Sequence, residues 1–403
     1  MVISNSSFKG AIMNVKARNI EGVLNKMASW FPVLSVTGPR QSGKSTLVQK
    51  VFKDYEYINF EDPFYRQQAI DDPKGFLKNR AEHLIIDEAQ LVPELFSIIQ
   101  ILADERKTTG QYVLTGSQNF LLLEKIQQSL AGRVGILKLL PFSYSEANRA
   151  GYTGNVDEFM FKGGYPGLYN KNVPANFFFD SYIETYVNRD VSGQVNPTNL
   201  SVFRKLLQLC ALNAGNIINI SALSSKLQIS RETTRKWVAI LNASYIIFEL
   251  PPYFANVSKR LMKQPKLYFY DTGLLCRLLR IGSLKQLLTS KYLGQVFENL
   301  IVVELVKKYF NKGEKENLCF YRDDSKMEVD IVDVANIDAP QFYEVKSSET
   351  FRKTMYRTMN SVCNYLDVGS CSKNLVMRIP ESFTSEGVSI LSAESWAKGL
   401  GVK

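Results

Sequence analysis

Val36-Thr37-Gly38-Pro39-Arg40-Gln41-Ser42-Gly43-Lys44-Ser45-Thr46-Leu47 reads VTGPRQSGKSTL. A short apolar run, FPVLSVTG, leads into it, and a helix-spaced segment from Lys44 to Phe52 follows. Gly38, Gly43, Lys44 and Ser45 satisfy the pattern G-x-x-x-x-G-K-S. Between a strand and a helix, such glycines let the backbone wind so that N–H groups point inward, and the helix adds its positive end. The loop is suited to a nucleoside triphosphate such as ATP. Lys44 reaches the β- and γ-phosphates, Ser45 offers its hydroxyl to Mg²⁺, and Thr46 completes the cradle.

The surrounding segments set the fold class. YEYINFED, HLIIDEAQ, QYVLTGSQ and RVGILKLLPFS read as further strands. Helical segments fall between them: Phe64 to Asn79 with a break at Pro73, Pro93 to Arg106, and LLLEKIQQSL. That alternation predicts an α/β domain, a parallel sheet with helices on both faces. Leu84-Ile85-Ile86-Asp87-Glu88 is an apolar strand ending in two acids. Strand ends of a parallel sheet share one edge, so Asp87 should arrive near Ser45 and hold the metal, and Glu88 should polarise the attacking water. Ser117, after the fourth strand, is a candidate for touching the γ-phosphate. Arg133 in SLAGR, with Arg189 in YVNRD as the second candidate, would bring positive charge to the transition state. Either arginine could equally be structural, or serve a neighbouring copy in a homo-oligomer.

The rhythm changes after residue 150. Helices dominate from Pro174 to about Ala243, and ISALSSKLQISRETTRKWVAILNASYI reads as two helices about a tight turn at Gln228–Ser230. A strand pair follows, YIIFELPPY and PKLYFYD. Helix-turn-helix plus a β-ribbon is a winged-helix pattern. Arg231, Arg235 and Lys236 would face DNA, whereas Trp237, Ile240 and Leu241 have the spacing of core. Lys259, Arg260, Lys263 and Lys266 cluster at the ribbon, either as a wing or as a solvated loop.

From about Gln295 come a helix, GQVFENLIVVELVKKYF, three strands, LCFYRD, KMEVDIVDV and QFYEVKSS, then a helix and a last strand, NLVMRIP. Pairing the second and third strands brings Asp330 beside Glu344 and Lys346, which share a face. Glu298 on the helix could lean over the same edge. Asp330 and Glu344 would bind Mg²⁺, and Lys346 would orient a water toward a phosphodiester. The bland alternative is a charged solvent face. The expected division is therefore 1–150, 151–280 and 281–403.

Bulk composition narrows the chemistry. The 403 residues carry a net charge of +10, are 45% hydrophobic and 22% charged, and include one histidine, His83. Histidine-based triads and multi-histidine metal sites are excluded. Five scattered cysteines without a CxxC point to a reducing, cytoplasmic setting. No apolar run is long enough to span a membrane, and the first residues do not read as a signal peptide. A basic balance is compatible with a polyanion partner.

GPRQSGKST, YINFED, DDPKGFL, LIIDEAQLVPELF, LTGSQ, SLAGR and LPFSYSE, in that order, resemble one family: prokaryotic AAA-type ATPases joined to a C-terminal domain of unknown function. The likeness continues through YIETYVNRDV, YFYDTGLLCRLL, GQVFENLIVVEL and EVKSS. It implies an ATPase core with Asp87 and Glu88 as its acidic strand end and Ser117 as a polar sensor. The order Glu298, Asp330, Glu344-x-Lys346 resembles the PD-(D/E)xK nuclease fold. Two functions stay open at this point. One is an ATP-hydrolysing enzyme whose C-terminal half acts on nucleic acid. The other is a nucleotide-gated regulator that binds DNA or protein with an inactive nuclease-like domain.

Overall fold

The computed structural model describes residues 16–116, 129–170, 173–187, 191, 195–253, 264–366 and 371–401. Ser117, most of the LLLEKIQQSL segment, Arg189, Lys259, Arg260 and Lys263 lie outside them. One compact unit runs through Phe142 and takes in Tyr309–Glu314; the other comprises Ser143–Lys308 and Lys315–Gly401.

In the first unit, strands β1 (Val33–Thr37), β2 (Glu56–Asn59), β3 (Leu84–Asp87), β4 (Tyr112–Gly116) and β5 (Val134–Lys138) pair in the order β2-β3-β4-β1-β5. All four pairings are parallel. Alternate strand residues face opposite ways and build two cores. Leu84, Ile86, Tyr112 and Leu114 pack with Leu95, Phe96 and Ile99 of the helix Leu95–Arg106. Leu34, Val36, Ile85 and Val113 pack with Leu24, Leu47 and Val48 on the other face. The sheet with helices on both faces is as the sequence predicts. The break expected at Pro73 falls between the helices Pro63–Asp71 and Pro73–Lys78, where the Asp72 side chain accepts the Gly75 amide at 2.8 Å. Proline suits a first helical turn because its missing N–H has no helical partner to lose.

Two contacts fix the loop after β1. Gly38 has φ +151°, and a Cβ there would meet the Leu139 carbonyl oxygen at 2.1 Å. The buried Arg18 donates to the carbonyls of Ser42 at 3.0 Å and Leu140 at 2.6 Å, and lies over the Phe142 ring. The loop is thus held against the chain leaving β5.

The second unit opens with helices. Ile220–Leu227 and Arg231–Ala243 are joined through Gln228, whose φ of 56° turns the chain, and are capped by Asn219 and Ser230. Strands β6 (Ile247–Leu250) and β7 (Lys266–Phe269) follow as an antiparallel pair. Trp237 packs edge-on against Phe203, and Ile240 and Leu241 are buried, as their spacing indicates.

The helix Leu293–Asn311 comes next, and then a six-stranded sheet ordered β12-β13-β11-β10-β9-β8. Strands β8 (Leu318–Arg322), β9 (Glu328–Asp333) and β10 (Gln341–Lys346) are antiparallel neighbours. β11 (Ser372–Met377) runs parallel to β10 after the helix Arg357–Tyr365. NLVMRIP is not the last strand. β12 (Phe383–Ser385) and β13 (Val388–Ser392) extend the sheet, β13 parallel to β11. β12 has only three residues, too few for alternation to register, whereas β13, VSILS, carries an alternation that sequence reading overlooked.

Gly38→Ala is expected to destabilise the first unit by about 2 kcal/mol or more, because a side chain there meets backbone that cannot rotate away. Urea unfolding measures it, and an unshifted midpoint would show that the Leu139 contact yields.

Candidate nucleotide site and acidic cluster

Gly43 stands at the N-cap of the helix Lys44–Val51 with φ 94°, a conformation glycine adopts without strain, and no side chain caps the helix. First-turn amides of such a helix suit an anion. The buried Lys44 folds its Nζ onto the loop's own carbonyls, Gly38 at 3.0 Å and Pro39 at 2.9 Å. The Ser42 hydroxyl is fully buried without a hydrogen-bond partner. Thr46 is exposed one turn along.

Asp87 ends β3, and β4 lies between it and β1. Its carboxylate accepts hydrogen bonds from the Tyr57 hydroxyl at 2.7 Å and from Thr115 on β4. The same Tyr57 hydroxyl lies close to Ser45, so one phenol stands between the two groups suited to Mg²⁺. Burial, then the Asp87 charge, raise the Tyr57 pKa, so the phenol keeps its proton and remains a donor. Glu88 follows with φ 54°, its amide 3.2 Å from Asp87 Oδ1 and its Oε2 accepting from Gln90 Nε2 at 2.5 Å. An oxygen-donor pair with a displaceable hydroxyl between its members, beside a buried lysine and an orphan serine, fits Mg-ATP. Sequence reading missed Tyr57 because it does not reveal that β2 borders β3.

Arg133 is elsewhere. It precedes β5 at the amino edge of the sheet, and its backbone carbonyl accepts from Val33 at the start of β1. Its guanidinium grips Asp104 at 2.6 and 2.8 Å. The phosphate loop leaves the opposite edge, the length of β1 away. Of the roles open to Arg133, the ion pair with Asp104 is the one seen within its own chain.

In the second unit, Glu298, Asp330, Glu344 and Lys346 do come together. The β9–β10 ladder ends at the Ile331–Tyr343 pair. Beyond it, the Asp330 carboxylate takes the Val345 amide at 2.8 Å. Lys346 Nζ lies 2.6 Å from Glu344 and 3.9 Å from Asp330. Glu344 Oε2 is buried with no partner. Burial, then the Asp330 charge, push the Glu344 pKa up to about 8, and Lys346 opposes this without prevailing. Glu298 is raised by the same two causes.

Two members come from β7. Tyr268 donates to Glu298 at 2.6 Å, and Lys266 lies 3.3 Å from Glu298 and 2.6 Å from Glu328. Lys266 is only 3% exposed. Its assignment to a basic wing or solvated loop is corrected: it is a buried counter-ion. The alternation of Lys266 and Tyr268 on one strand face was the available signal. The orphan oxygen of Glu344 beside Asp330 fits one divalent cation. Among the described residues no three His, Cys, Asp or Glu side chains converge to hold one.

On the helix Arg231–Ala243, the side chains of Arg231, Arg235 and Lys236 are exposed. None of the five cysteines is in a disulfide. Among the described residues no helix is long and apolar enough to cross a membrane.

Comparison with known proteins follows this division. Residues 31–148 match the family described as an AAA domain. Residues 153–285 and 293–395 match two domains of unknown function, DUF8612 and DUF4143. An uncharacterized protein of Mycobacterium tuberculosis is 27% identical over 363 residues, covering 89% of this chain and 80% of that one. One from Haemophilus influenzae is 24% identical over 313 residues, covering 68% and 74%. Among solved structures, the Walker-type ATPase of Pyrococcus abyssi is 14% identical with a TM-score of 0.44, covering 64% of this chain and 94% of its own. The RuvB Holliday junction branch migration motor of Thermotoga maritima is 14% identical with a TM-score of 0.27, covering 62% and 90%. The five-stranded unit thus corresponds to the match with an AAA domain, and the rest of the chain to the two domains of unknown function.

Raised acid pKa values make the metal-free protein lose stability as pH rises. Below about 4.5 Glu344 is protonated in both folded and unfolded chains; between there and about 8 only the folded chain keeps the proton. Glu344→Gln should flatten the decline in melting temperature across that window, measured in chelator. An equally steep decline in the variant would remove Glu344 as its source.

Proposed function

We propose that the protein binds and hydrolyses ATP at the phosphate loop and couples its nucleotide state to a C-terminal half that acts on nucleic acid. The reading rests on one observation above the rest: Ser45 and Asp87 flank a single hydroxyl beside a buried Lys44. In this reading the loop amides and Lys44 take the β- and γ-phosphates, Lys44 exchanging the Gly38 and Pro39 carbonyls for phosphate oxygens. Ser45 and Asp87 hold Mg²⁺, which neutralises charge developing on the phosphates. Glu88 accepts the proton of the attacking water, with Gln90 orienting its carboxylate. Ser117 is assigned to the γ-phosphate. Arg133, if it is the arginine finger, acts on a neighbouring chain of a homo-oligomer.

The functional division proposed is an ATPase domain at 1–150, a winged-helix domain at 151–280 and a nuclease-like domain at 281–403, in the reducing cytoplasm that free cysteines favour. Arg231, Arg235 and Lys236 meet DNA phosphates or base edges from the second helix of the helix-turn-helix. Asp330 and Glu344 hold a divalent cation, with Lys346 orienting the water that attacks a phosphodiester. Supporting this is the order helix, antiparallel strands, helix, parallel strand, with the acids at one sheet edge. A second reading, a nucleotide-gated binder of DNA or protein without cleavage, draws on Glu298 being engaged by Lys266 and Tyr268.

Lys44→Ala should lower ATP turnover by about 100-fold or more, and Glu88→Gln should keep ATP bound but unhydrolysed. Turnover at the parent rate in Lys44→Ala would end the assignment. ATPase rate with and without single- and double-stranded DNA tests the coupling, and indifference to both would favour the binding-only reading. Asp330→Ala should abolish any Mg²⁺-dependent nicking. Arg235→Ala with Lys236→Ala should reduce the slope of log affinity against log salt by about 2; an unchanged slope would move the DNA face elsewhere.

A further inference from the structure

Lys266 is a poor candidate for contact with substrate, because its side chain is buried. Its ammonium lies 2.6 Å from Glu328 and 3.3 Å from Glu298, with the Phe320 ring 5.4 Å away. Glu298 is further held by Tyr268 at 2.6 Å, and Glu328 by Arg322 at 3.2 Å. Asp330 is close enough for its charge to act on Lys266. The acidic edge therefore has two halves. Asp330 and Glu344 face Lys346 and keep an unpartnered buried oxygen, which is room for an ion. Glu298 and Glu328 already share a cation, delivered by the β-ribbon rather than by solvent.

An ammonium between two carboxylates supplies one positive charge where a divalent ion would supply two, but in a fixed stoichiometry. Removing one partner of a buried ion pair leaves the other side uncompensated at large cost. Deprived of Lys266, the half-buried Glu298 and Glu328 keep Tyr268 and Arg322 as partners but lose the charge between them, which another cation can replace.

We infer that Lys266 is a built-in substitute for a second divalent cation, so that the acidic edge takes one ion, at Asp330 and Glu344, and Lys266 bars a second from Glu298 and Glu328. This rests on the reading of Asp330 and Glu344 as a cation site. It makes β7 part of that site: a sheet built from residues 293–395 alone lacks its resident charge.

Mn²⁺ binding by calorimetry tests it, on the nucleotide-free full chain carrying Asp87→Asn so that the phosphate loop does not contribute. The expected count is one ion. Adding Lys266→Ala should raise it to two, with a Mn²⁺-dependent rise in melting temperature larger than that of the parent. Adding Glu298→Gln and Glu328→Gln to that variant should return the count to one. If the alanine variant does not fold, Lys266→Gln, which keeps a hydrogen-bond donor but not the charge, answers the same count. No ion in the Lys266-containing parent would sink the Asp330–Glu344 reading itself. Two ions there, or one ion still in the folded Lys266 variant, would overturn the role of Lys266 and leave that reading standing.

Discussion

Backbone against backbone at Gly38 and Leu139 is the constraint on which the nucleotide site depends. β1 and β5 pair along their full length, and at their exits the chains part by no more than a hydrogen atom allows. Arg18 adds a second tie, reaching both the loop and the same exit strand. The curvature that points amides and Lys44 inward is therefore set by main chain and one buried guanidinium. A side chain at position 38 would act on the whole loop at once.

Position relative to the sheet then sorts the other residues. The candidate nucleotide-site residues gather at the carboxyl edge, where β1 runs into the loop, β3 ends in Asp87 and β4 carries Thr115 next to its last residue. Arg133, paired with Asp104, lies at the amino edge. The two edges are separated by strand length, and five residues of extended chain reach about 17 Å. Residues that look equivalent in a linear motif series can thus fall on opposite sides of a domain.

Much of this was legible in the sequence. The loop, the strands, the break at Pro73, the helix-turn-helix and the convergence of Glu298, Asp330, Glu344 and Lys346 follow from periodicity and local turn chemistry. What was not legible is non-local. Tyr57 matters because β2 borders β3, and Lys266 and Tyr268 matter because a ribbon some thirty residues before Glu298 packs on its helix. Arg18 lies far in sequence from Leu140 and has no motif of its own. Lys266 misled for a further reason: beside Lys259, Arg260 and Lys263 its charge looked like part of a surface run, and only its start-of-strand position before apolar neighbours hinted at burial.

The Tyr57 hydroxyl has one more implication. With Ser45 on one side and Asp87 on the other, the Tyr57 hydroxyl fills the place between the two groups suited to a metal. Any ion entering alone must break the Tyr57–Asp87 hydrogen bond without phosphate oxygens to complete its shell. Phosphate oxygens arriving with it alter that balance, so the phenol acts as a threshold that favours joint arrival of metal and nucleotide over stray occupancy by metal.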